Sequence, residues 1–140
     1  MTAVLWRRLI AELLGTGLLV TVVVGSGIMA TRLSDDVGLH LLANSTTTAM
    51  GLAVLILVFG PVSGAHFNPL VSLVDWWLGR RSGHGLDLRL LGGYIAAQAV
   101  GGVLGAILAN LMFGLSAVTW SQHQRSGTAC GSVRWSPPAG

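Results

Sequence analysis

The residues best suited to chemistry in this chain lie in one short stretch, Ser63-Gly64-Ala65-His66-Phe67-Asn68-Pro69. Asn68 is a natural helix N-cap, and Pro69 suits the first position of a helix. The pair therefore predicts a helix that starts at a polar side chain and runs into the apolar stretch Leu70 to Leu78. Two other chemistries compete for the same residues. Ser63 and His66 invite a nucleophile-and-base reading, but no third group, elbow motif or oxyanion hole accompanies them. No catalytic residue is assigned, and the chain does not read as an enzyme. A metal at His66 needs partner ligands, and His40, His84 and His123 are scattered over other loops. No metal and no cofactor is expected, and His66 reads as a structural hydrogen-bonding group.

The elements that must position this stretch are apolar. The chain has 140 residues, of which 52% are hydrophobic and 9% charged. Soluble domains carry about 25% charged residues, so the membrane class comes first. Three apolar runs, Leu9–Ala30, Leu41–Pro61 and one from Leu90 past Phe113, predict spans at about 5–30, 40–60 and 90–114. A helix from Asn68 to Trp77 is about 15 Å long, half of a hydrocarbon core of about 30 Å. The expected fold is an all-α membrane protein with three transmembrane helices and one re-entrant half-helix at about 68–78. Gly101 and Gly105 form a small-xxx-small pair that permits close helix contact, and Gln98 suits an interhelical hydrogen bond. Trp76 and Trp77, near Arg80, read as interfacial anchors rather than an aromatic cage.

All eight basic residues are arginines, and the formal charge is +3. They sit at the ends of apolar runs rather than along one polar face, which argues for membrane topology and against nucleic-acid binding. Arg7, Arg8, Arg80, Arg81 and Arg89 fall on one side, and Arg32 on the other. The positive-inside rule places the N-terminus in the cytoplasm and makes the half-helix enter from that side. The expected location is the cell (inner) membrane, multi-pass. Arg7 and Arg8 precede an apolar stretch too long for a signal core, so the first span is expected to be retained. Cys130 is the single cysteine, which excludes an intramolecular disulfide.

The Ser63 to Leu73 segment resembles the first signature of the aquaporin and glycerol-facilitator family, whose usual form is S-G-A-H-x-N-P-A-V-T-x. Ala11-Glu12-Leu13-Leu14-Gly15-Thr16 is similar to the family's first-helix A-E-x-x-G-T, and Tyr94-Ile95-Ala96-Ala97-Gln98 to its third-helix Y-x-x-A-Q. The resemblance covers roughly residues 5–115. It implies two inverted repeats, each of three spans and a half-helix, with the half-helices meeting at the bilayer midplane. A half-helix N-terminus carries about half a positive charge and, aimed at a pore centre, repels protons and other cations. By resemblance, Gly64, Ala65, His66, Asn68, Pro69 and Leu70 line the pore, and the Asn68 side chain donates to passing water or solute. Glu12 and Gln98 brace the fold. The competing reading of Glu12 is a carboxylate near a helix end that reaches the interface. Leu70 stands where the family has alanine, which implies a narrower constriction. The second Asn-Pro-Ala motif and its following arginine are absent from these 140 residues. The filter position in the second span is open among Thr48, Ala49 and Met50.

The resemblance implies passive flux of water or small neutral solutes, a lipid bilayer as surroundings, and homotetramers with one pore per subunit. Residues 1–118 read as one aquaporin-like repeat, and 119–140 as a polar tail, disordered or frameshifted. Back-translating Cys130 to Gly140 with GC-rich codons and shifting the frame yields a Leu-Gly-Glu string that echoes Leu9 to Thr16. The expectation is thus a truncated family member that conducts poorly or not at all alone. The alternative is a non-conducting remnant, or a half-channel subunit that needs a separately encoded second half.

Overall fold

The structure is a computed structural model that describes residues 2–83 and 85–118. These residues form four helices: α1 (Thr2–Leu33), α2 (Val37–Ser63), α3 (Pro69–Ser82) and α4 (Leu88–Met112). Helices α1, α2 and α4 are long and apolar enough to cross a membrane. With 14 residues, α3 is about 21 Å long and falls short of a hydrocarbon core of about 30 Å. The chain is an all-α, multi-pass membrane protein.

Local chemistry explains the boundaries. Asp36 caps α2, its Oδ1 accepting from Leu39 N at 3.0 Å. Asp87 caps α4 in the same way, accepting from Leu90 N at 2.7 Å. Helix α3 runs on to Ser82, past the end expected near residue 78. Gly79-Arg80-Arg81 stays helical because cations favour the C-terminal end of the helix dipole. The stop is Gly83 in the left-handed region (φ 75°), whose N–H donates to Gly79 O at 2.7 Å. Helix α1 likewise extends back through Arg7 and Arg8 to Thr2, since arginine is a good helix former. The tail of residues 119–140 lies outside the described residues, as do His84 and His123.

Helix α1 packs between α2 and α4, and α3 lies against α4. In lipid, helix association depends on close packing and hydrogen bonds. The α1–α4 seam meets both demands. A Cβ on Gly101 would strike the Leu13 carbonyl, and one on Gly105 the Gly17 carbonyl, so these backbones touch because the residues are glycines. Thr21 Oγ1 bridges the seam, lying 2.8 Å from Gly17 O and 3.0 Å from Gly105 O. Asn44 Nδ2 joins α2 to α1, donating to Val23 O at 2.8 Å and Ser26 Oγ at 3.0 Å. At the far end Arg32 donates to Phe113 O at 2.7 Å and stacks on that ring at 5.3 Å, tying α1 to the end of α4.

Candidate pore segment

The link between α2 and α3 is strained. Gly64 takes φ 93° at the end of α2, and two non-glycine residues follow in the left-handed region, Ala65 at φ 52° and Phe67 at φ 50°. Each such residue costs about 1–2 kcal/mol, so something must hold the loop. The holder is Glu12, fully buried on α1. Its Oε1 accepts from Ser63 Oγ at 2.6 Å and His66 N at 3.0 Å. Its Oε2 accepts from Phe67 N at 2.7 Å and Gln98 Nε2 at 2.8 Å. One carboxylate thereby joins α1, the end of α2, the loop and α4. A buried carboxylate is tolerable only when satisfied in this way.

The cluster continues into α3. Gln98 Nε2 also lies 3.0 Å from Ser72 Oγ, and His66 Nδ1 lies 3.0 Å from the same hydroxyl. Tyr94, one turn before Gln98, donates its hydroxyl to Ser63 O at 2.6 Å and meets the His66 ring edge-on at 5.4 Å. The Phe67 ring drops onto Gly15, where a Cβ would collide with it, and packs edge-on against Phe59 at 6.0 Å. Loop and half-helix are thus locked to α1 and α4 by polar and steric contacts together.

Beyond the locked loop stands the start of α3. Asn68 Oδ1 accepts from Leu70 N at 2.8 Å and caps the helix, which leaves its Nδ2 outside every hydrogen bond among the described residues. Pro69 occupies the first helical turn, where its missing N–H costs nothing. Asn68, Pro69, Leu70 and Gly64 are exposed, whereas Ala65 and His66 are half-buried. The six lie along the loop and the first turn of α3, interrupted by the buried Phe67; Tyr94 and Ser72 meet His66, while Asn68, Pro69 and Leu70 stand exposed. Leu70 points its side chain outward, 65% exposed.

Ser63, whose sequence position invites a nucleophile reading, spends its hydroxyl on Glu12 and lies near Ala65 N at 3.2 Å. Ser72 and Tyr94 each carry two links of the cluster. Their signal in the sequence is spacing: Ser72 lies one turn after Asn68, and Tyr94 one turn before Gln98. Among the described residues no group of histidine, cysteine, aspartate or glutamate gathers as a metal site. Thr48 lies on α2 with its buried Oγ1 unpartnered among the described residues.

The family model for the major intrinsic protein matches residues 1–134. Aquaglyceroporin AqpS of Rhizobium meliloti (strain 1021) is 50% identical over 125 residues, covering 89% of this chain and 52% of that protein. Aquaporin Z of Photorhabdus laumondii is 36% identical over 120 residues, covering 81% and 48%. Aquaporin NIP1-2 of Arabidopsis thaliana is 33% identical over 111 residues, covering 78% and 35%. The chain spans about half the length of the bacterial relatives and less of the plant one. A half-helix opened by Asn68-Pro69, a loop anchored on Glu12, a family match over nearly the whole chain, and relatives named aquaporin and aquaglyceroporin make this chain a member of the major intrinsic protein family.

Proposed function

We infer that this chain supplies one half of a passive channel for water or small neutral solutes, with no catalytic step. The observation that carries the reading is the start of α3. Asn68 caps the helix with its oxygen and keeps its Nδ2 for a passing acceptor. A donor at a helix N-terminus stabilises a neutral oxygen-bearing solute and repels cations. Glu12 and Gln98 act as braces that fix this donor through the loop. The names of the relatives, aquaporin and aquaglyceroporin, point to the same solute class.

A complete pore on this plan needs a second half-helix facing the first, as in other inverted repeats. Exposed apolar side chains on α2 and α3, such as Met50, Leu57 and Leu70, provide a surface for it. The arginine distribution favours a cytoplasmic N-terminus in a bacterial inner membrane. The assembled channel would form tetramers of independent pores. A second reading, a subunit that conducts only beside a separately encoded partner, rests on the same uncovered surface.

The test is stopped-flow swelling of proteoliposomes. The 140-residue chain alone is expected to give near-background water flux. Co-reconstitution with a second-repeat segment of a relative is expected to raise flux, and Asn68→Asp should lower it again. Rapid flux from this chain alone would overturn the requirement for a second half. No flux under any pairing would overturn the channel reading.

A further inference from the structure

The geometry points to a binding site for one anionic phospholipid, of the phosphatidylglycerol type, in a cleft where α1 and α4 begin. The cleft has a volume of about 630 Å³ and is lined by Val4, Leu5, Arg8, Asp87, Arg89 and Leu90. Its lining is mixed in the way a lipid at an interface requires. Two arginines line it at the ends of two membrane-crossing helices, beside apolar side chains. This level of a bilayer is where headgroups lie.

The two arginines are unengaged. Arg32 is spent on Phe113, and Arg80 stacks on Trp76 at 5.0 Å. Arg8 and Arg89 are exposed and make no hydrogen bond, ion pair or ring contact among the described residues. Guanidinium groups bind phosphate oxygens in pairs, with strong geometric preference. Asp87 lies in the same cleft, with Oδ1 committed to capping α4. Two positive charges and one negative leave a net charge of about +1, which one phosphodiester monoanion neutralises. Inorganic phosphate also presents a monoanion near neutral pH, so the charge count alone does not separate it from a phosphodiester, whereas the apolar lining does. A choline headgroup brings its own cation and leaves the cleft positive. The balance therefore selects a monoanionic phosphate group over a zwitterionic headgroup, and the apolar half of the lining selects one attached to acyl chains. Val4, Leu5 and Leu88 are exposed apolar residues at this level and offer the first part of a path for a chain.

The experiment titrates the full purified chain in detergent with phosphatidylglycerol, with phosphatidylcholine and with inorganic phosphate, and counts retained ligand by native mass spectrometry. Phosphatidylglycerol is expected to bind at least about tenfold more tightly than phosphatidylcholine, with no retention of inorganic phosphate. Replacing both arginines (Arg8→Gln, Arg89→Gln) should weaken phosphatidylglycerol about tenfold or more, on the scale of two lost phosphate contacts. Replacing Arg80 and Arg81 by glutamine should change it by less than about twofold, because neither arginine lines the cleft. The charge-preserving pair Arg8→Lys and Arg89→Lys should keep a preference for phosphatidylglycerol over phosphatidylcholine, with affinity between the wild type and the glutamine pair. Circular dichroism and a melting curve without added lipid report whether each variant is folded. Should the glutamine pair be misfolded, the lysine pair and the wild-type lipid comparison decide. Equal loss in the α3 pair would show diffuse surface charge and overturn the site. Equal binding of phosphatidylcholine, or retention of inorganic phosphate, would overturn it as well.

Discussion

Two regions of this molecule differ in how complete they are. Around Glu12, four donors from three parts of the chain converge on one carboxylate, and the α1–α4 backbones touch through glycines. Along the outer face of α2 and the start of α3 the opposite holds. Leu57 is 77% exposed, and Met50 and Leu70 stand out similarly. Most of the buried polar groups have a partner, Thr16 Oγ1, Thr48 Oγ1 and Gln98 Oε1 being exceptions among the described residues, while apolar groups have been left uncovered. In water that arrangement would be backwards. In a membrane it is economical, because lipid leaves apolar side chains unpenalised while every polar group needs a partner. The first region is a finished interior. The second is a surface that lipid or a second repeat can cover.

Substitutions can break or sharpen this contrast. The largest effect is expected for Glu12→Ala, which strands several buried donors and releases a strained loop. Each stranded donor costs about 1–3 kcal/mol, so a loss on the order of 3 kcal/mol or more is expected. Denaturation in mixed micelles reads it, and a loss below about 1 kcal/mol would show that the carboxylate does not hold the loop. Next comes Gly105→Leu, which forces α1 and α4 apart and is expected to cost about 2 kcal/mol in the same assay. Loss of protection from thiol labelling at cysteines placed along the seam would confirm the separation. Tyr94→Phe removes one hydrogen bond to Ser63 O and should cost about 1 kcal/mol. The smallest effect is expected at Leu57→Ala, within about 0.5 kcal/mol for this chain alone. If that change costs as much as the Tyr94 variant, α2 is already covered by another copy, and the contrast between the two regions fails. Repeating the Leu57 measurement beside a second-repeat segment sharpens the contrast, since a covered side chain would then begin to matter.

Much of the fold is legible before any coordinates. Charge-free runs mark α2 and α4, and the short run after Asn68-Pro69 marks a helix unable to span. Asn68 announces its helix by the N-cap rule. The ends were harder. Gly79 looks like a terminator, yet α3 passes through it and stops at Gly83, because helix ends depend on which glycine the following loop places in the left-handed region. Ser63 was the least legible residue of the candidate site. Beside His66 in sequence it suggests a reactive pair, whereas in space its hydroxyl belongs to Glu12, 51 residues away.

The amino-acid sequence suffices for everything governed by neighbours along one helix. Length of apolar runs, caps, the half-helix and the crowding of arginines at helix ends all follow from contacts within about a turn or two, which spacing alone encodes. Assembly governs the rest. The shared carboxylate links residues separated by as many as 86 positions, and the left-handed Ala65 and Phe67 persist because Glu12 reaches their loop from α1. Those arrangements depend on how closely three helices approach. Glycines at the α1–α4 seam set that approach, and local spacing carries no record of which backbone each glycine will meet.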